Sequence, residues 1–133
     1  MSANIIDPFK YFNVYSRGNI GDNAPYRSDF QGTTGAGGNV SFSSFTLCGL
    51  DTANPYVLHA GGNVTITGGS HTGDIEAAGD MTIGSLTIKG DVYSGGTVKN
   101  SGGGTIFGDV TAQGNILFTQ NMTVYGQLSR EKR

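Results

Sequence analysis

The sequence predicts an all-β fold: a single-stranded right-handed parallel β-helix of about five coils, each of 17–18 residues with three short strands. Three observations carry this. A glycine-led phrase recurs, and its copies Gly62-Asn63-Val64-Thr65-Ile66, Gly79-Asp80-Met81-Thr82-Ile83, Gly96-Thr97-Val98-Lys99-Asn100 and Gly114-Asn115-Ile116-Leu117-Phe118 step by 17, 17 and 18 residues. A second series, Gly73-Asp74-Ile75, Gly90-Asp91-Val92, Gly108-Asp109-Val110 and Gly126-Gln127-Leu128, interleaves with it in steps of 17, 18 and 18. Within each phrase apolar residues lie two apart, the period of a strand, and the glycines permit the corners that end a strand after about four residues. A third short strand fits between the two phrases of each period, at Leu86-Thr87-Ile88, Gly104-Thr105-Ile106 and Met122-Thr123-Val124. No single coil buries its own apolar side chains, so stacking at a strand spacing of about 4.8 Å has to supply the core.

Superposing equivalent positions tests the stacking. One face gives the inward files Val40, Val64, Met81, Val98, Ile116 and Phe42, Ile66, Ile83, Asn100, Phe118, apolar except for Asn100, which reads as a local misfit. The second series gives a large file, Leu58, Ile75, Val92, Val110, Leu128, beside a small one, Ala36, Ala60, Ala77, Ser94, Ala112. Large beside small is how a narrow triangular core fills without clashes. The corner file Asn39, Asn63, Asp80, Asn115 carries short polar side chains suited to bonding backbone N–H groups at a turn.

Taken in order, residues 1–11 form an N-terminal cap, since Ile5-Ile6-Asp7-Pro8-Phe9 is apolar and an open solenoid end needs covering. The solenoid domain spans 12–128, beginning with the alternating Phe12-Asn13-Val14-Tyr15. Asp22-Asn23-Ala24-Pro25 is a turn insertion, and Phe30 falls in the inward slot of Ile88 and Ile106. Between Gly38 and Gly62 the step rises to 24, which places an insertion at 48–56, from Cys48 to Tyr56; such loops on solenoid corners often carry recognition. Residues 129–133 read as a C-terminal tail.

At 133 residues the chain holds one domain. Its 23 glycines fall at corners in register with the apolar pairs, which argues against disorder. A formal net charge of -2 with 14% charged residues leaves no electrostatic footprint for nucleic acid. The lone Cys48 excludes an intrachain disulfide. No stretch approaches 18 uninterrupted apolar residues, so membrane insertion is not expected.

The opening Tyr11-Phe12-Asn13-Val14-Tyr15, then Gly18-Asn19-Ile20, Ser28-Asp29-Phe30-Gln31-Gly32, Ala36-Gly37-Gly38-Asn39-Val40 and Ala60-Gly61-Gly62-Asn63-Val64-Thr65, resemble the choice-of-anchor A family of bacterial surface domains. The resemblance covers roughly residues 11–118. It implies an extracellular, surface-attached, adhesin-like module with no catalytic residues, its signal and anchor supplied from outside this sequence. Gln31-Gly32-Thr33-Thr34 departs from that family's acidic and basic residues at the corresponding place. The repeated Gly-Asp-Val phrases also look like bactofilin polymers.

Candidate chemistry is sparse. Asp74, Asp91 and Asp109 stack in one file, about 5 Å apart, a spacing open to Ca²⁺ or to a glycosidase pair; but each follows a corner glycine where its carboxylate can bond the turn backbone, and the repeat-type calcium motif is absent. His71 takes the slot of Ile88 and Ile106. No nucleophile elbow, zinc-protease or phosphate-loop motif occurs, so no enzyme, cofactor or metal site is expected. The outward file Tyr15, Gly35, His59, Glu76, Tyr93, Thr111 is a polar and aromatic strip. Together with Asp51, Asn54 and Tyr56 of the insertion, His59, Glu76, Tyr93 and Thr111 make the candidate ligand-binding set. Ser70, Thr87, Thr105 and Thr123 form an outward hydroxyl ladder, which could order water as ice-binding solenoids do, but the ladder is short and threonine is also simply a good exposed strand residue. Phe107, Leu117, Tyr125 and Tyr93 gather exposed apolar surface toward the C-terminal half, where self-association is expected, as a trimer if the domain belongs to a fibre. The expected function is therefore adhesion to a glycan or protein of another cell or matrix, with a polymer-forming subunit as the alternative and an ice-binding solenoid as a more remote one.

Overall fold

The computed structural model describes residues 14–21, 29–31, 34–43, 46–48, 56–119 and 121–130. The expected cap, the turn insertion at 22–25 and the insertion residues 49–55 lie outside them. The chain opens with β1 (Val14–Ser16) and β2 (Asp29–Gln31), then winds through five complete triplets of strands. These are β3 (Thr34–Ala36), β4 (Val40–Ser43) and β5 (Thr46–Cys48), then β6 (Tyr56–Ala60), β7 (Val64–Thr67) and β8 (Ser70–Thr72). The next are β9 (Asp74–Ala77), β10 (Met81–Gly84) and β11 (Leu86–Lys89), then β12 (Val92–Ser94), β13 (Val98–Asn100) and β14 (Gly104–Ile106). β15 (Val110–Ala112), β16 (Ile116–Leu117) and β17 (Met122–Val124) complete the fifth, and β18 (Leu128–Arg130) begins another turn.

Each strand of a triplet joins a different sheet. The first sheet runs β1-β3-β6-β9-β12-β15-β18, the second β4-β7-β10-β13-β16, and the third β2-β5-β8-β11-β14-β17. All pairings are parallel, and the result is a right-handed β-solenoid with three faces. Register matches the repeat spacing: Val64 pairs with Met81 and Met81 with Val98, while Ile75 pairs with Val92 and Val92 with Val110. The core is the stack of inward files, with Val40, Leu58, Val64, Ile66, Ile75, Met81, Ile83, Ile88, Val98 and Ile106 all at or below 1% exposure. Ala60, Ala77 and Ala112 form the small file beside the large one, with Ser94 buried among them. The Ser94 hydroxyl donates to the Gly79 carbonyl at 2.7 Å, which satisfies a polar atom where alanine otherwise stands.

Two findings revise how the corners were expected to work. The corner Asx side chains bond the next coil instead of their own turn. Asn39 Oδ1 accepts from Asn63 N–H at 2.8 Å, Asn63 Oδ1 from Asp80 N–H at 2.8 Å, and Asp80 Oδ1 from Thr97 N–H at 2.9 Å. A second ladder runs Asp74 to Asp91 to Asp109 to Gln127 at 2.8, 2.8 and 2.9 Å. Asn100, in turn, is no misfit. It is buried, its Nδ2 donates to Gly102 O at 3.0 Å, and its Oδ1 accepts from Thr119 N–H at 2.8 Å, so it braces the longer corner of an 18-residue coil.

Candidate functional site

The first sheet positions the predicted strip. Strand alternation turns Leu58, Ile75, Val92 and Val110 into the core, and therefore turns His59, Glu76, Tyr93 and Thr111 outward. Register places these four over one another: His59 pairs with Glu76, Glu76 with Tyr93, and Tyr93 with Thr111. His59 Nδ1 lies 2.8 Å from Glu76 Oε1, the two side chains being 45% and 24% exposed. The Tyr93 hydroxyl accepts from Gln113 Nε2 at 2.8 Å, which fixes the ring against the sheet.

Beside this file lies a shallow groove of 310 Å³ lined by Asp74, Glu76, Asp91, Tyr93, Asp109 and Thr111 together with the backbone edges of Ile75 and Val92. Four carboxylates and no lysine or arginine line it, so its field is anionic. One oxygen of each aspartate bonds the coil above, which holds the row rigid. Of the six groove side chains, Asp74, Asp91 and Asp109 were read from the sequence only as corner residues. Their outward file two positions from Glu76, Tyr93 and Thr111 was the signal that joins them to the strip.

The remaining predicted residues divide. Tyr56 pairs with Asp74 through β6 and so lies at the edge of this face by backbone register, whereas Asp51 and Asn54 lie outside the described residues. Gly35, expected in the outward file, is buried. Among the described residues no three His, Cys, Asp or Glu side chains converge in a way that fits a metal ion.

The apolar surface expected as one patch is split between faces. Phe107 follows β14 and Tyr125 follows β17, both along the third sheet, where their rings stack with centroids 5.2 Å apart and planes 11° apart. Leu117 is on β16 of the second sheet and Tyr93 on β12 of the first. A triangular cross-section turns three neighbours in sequence register toward three directions. The hydroxyl ladder, by contrast, is continuous: Ser70 pairs with Thr87, Thr87 with Thr105, and Thr105 with Thr123 along the third sheet.

Among the described residues no helix is long and apolar enough to cross a membrane. Searches of curated proteins and of solved structures give no match. A family model does match, over residues 5–132, and its description is an Ice-binding-like adhesive domain. That span is nearly the whole sequence, and the chain belongs to this family: it is an adhesive module built on a β-solenoid.

Proposed function

We propose that the domain attaches a cell surface to an external glycan or protein through the groove of the first sheet, with Glu76, Tyr93, Thr111 and His59 as contact residues. The observation that supports this most is the groove itself: a rigid, open concavity with an aromatic ring pinned beside a row of carboxylates. A filled solenoid core leaves no deep pocket, so recognition on such a fold belongs to its faces and corners. The resemblance of the Ala-Gly-Gly-Asn blocks to those of choice-of-anchor A domains supports an extracellular placement. The test is an array of glycans and matrix proteins probed with the domain, followed by the double variant Glu76→Gln, Tyr93→Ala on any target found. Binding should weaken at least about tenfold, or about 1.4 kcal/mol, with the circular dichroism spectrum unchanged. Unaltered binding removes this face from the contact.

One observation favours a second reading in which the surface is ice. The file Ser70, Thr87, Thr105, Thr123 is in register on a parallel sheet, with hydroxyls repeating at about the 4.8 Å strand spacing, and the family description names ice-binding-like domains. Thermal hysteresis and inhibition of ice recrystallisation that disappear in Thr87→Leu, Thr105→Leu would establish it. Their absence in the unaltered domain would leave the groove reading alone.

A further inference from the structure

His71 is the one titratable side chain fully buried in the core among the described residues. It stands in the inward file of the third sheet, paired with Leu47 on β5 and Ile88 on β11. Its Nε2 lies 3.1 Å from the Gly68 carbonyl oxygen, which can only accept, so Nε2 carries the hydrogen and Nδ1 is a bare lone pair. Nδ1 is buried with no partner. A proton added there would sit as a positive charge in an apolar interior.

Among the described residues nothing facing the ring compensates that charge. Its register partners are Leu47 and Ile88, and the buried side chains of the other two sheets are apolar except for Thr34, Ser94 and Asn100. Cys48 and Lys89 pair with Thr72, one residue on from His71 in backbone register, Asp74 is engaged with Asp91 N–H, and His59 is paired with Glu76. Burial holds the imidazole below its ordinary value of 6.5, and the bond to Gly68 offsets this only in part. The strand is also bracketed by left-handed glycines, Gly68 (φ 88°) and Gly69 (φ 89°) before it and Gly73 (φ 126°) after it. These positions tolerate other backbone angles more readily than any side-chain-bearing residue.

We propose that β8 is an acid-released latch: protonation of His71 at Nδ1 drives the strand out of the core about Gly68–Gly69 and Gly73, parting the third sheet between β5 and β11. The neutral ring is compatible with the closed coil and the charged ring is not, so the adhesive module loosens in acidic surroundings. The released imidazole binds a proton near 6.5, above the value in the closed form. Stability is therefore complete above that pH and is lost as pH falls below it.

Hydrogen exchange of the full chain tests this, with opening constants corrected for intrinsic rates at about pH 7.5 and about pH 5. The peptide covering 68–73 should open at least tenfold more in acid in the wild type and in His59→Gln, but not in His71→Leu, whose side chain matches the aliphatic file. Equal acid opening in His71→Leu, loss of the response in His59→Gln, or no acid response in the wild type would each overturn the proposal. Should His71→Leu not fold, the wild-type His71 Cε1–H resonance decides: a separate released-state signal growing as pH falls supports the latch. A smooth titration of the ring in place contradicts it.

Discussion

At the scale of single residues, the same side chain does different work according to which coil it reaches. Asp91 occupies a turn, yet its Oδ1 receives the N–H of Asp109, one coil on, at 2.8 Å. Spacing alone shows that Asx residues line up; it does not show the direction of their bonds, because a carboxylate at a corner has its own turn and the next coil equally in range. The distinction is measurable. Asp91→Ala should lower stability by about 1 kcal/mol, while Asp91→Asn, which keeps the accepting oxygen, should be near neutral in a denaturant titration. Equal losses would mean that the charge matters and the ladder does not. Asn100 shows the converse. In an apolar file it looked anomalous, and only the position of Thr119 and Gly102 around the longer corner reveals two bonds that an apolar residue would leave unmade.

At the scale of strands and corners, the pairing of glycine with Asx has a steric cause. A Cβ placed on Gly108 would meet Asp91 Oδ1 and the Gly90 carbonyl oxygen; one on Gly79 would meet Asn63 Oδ1. The glycine leaves room for the very oxygen that bonds its successor, so the two residues of the phrase depend on each other across coils. Gly18 has nothing within 4 Å of the same construction. Gly108→Ala should therefore cost about 1–3 kcal/mol, and Gly18→Ala less than about 0.5 kcal/mol, by thermal or chemical denaturation. Comparable effects at both would show that glycine serves these corners through conformation alone. The strands themselves were legible, because alternation and a fixed step of 17 or 18 determine both which residues turn inward and which coils meet. Strand β18 reaches Arg130, past the last apolar residue, since Ala112 on β15 offers Arg130 a backbone partner whatever its side chain.

At the scale of the whole molecule, three faces sort the surface into separate chemistries. The first carries the anionic groove, the third the hydroxyl file and the Phe107–Tyr125 stack, and the second the file through Thr65, Thr82, Lys99 and Leu117. The sequence made the outward strip His59, Glu76, Tyr93, Thr111 readable, because each lies one residue from a core position. It hid the groove, which arises only when the corner aspartates and the strip share one edge. Likewise, the separation of Leu117 from Phe107 and Tyr125 needs the angle between sheets, and a repeat contains no angles. All these assignments depend on residues one coil apart lying in contact. Methyl-resolved nuclear Overhauser spectra of the folded chain measure that most directly. The account predicts cross-peaks from Val64 to Met81 and from Met81 to Val98, positions 17 apart on β7, β10 and β13. Cross-peaks linking Val64 to Val98 directly, with Met81 contacting neither, would contradict it.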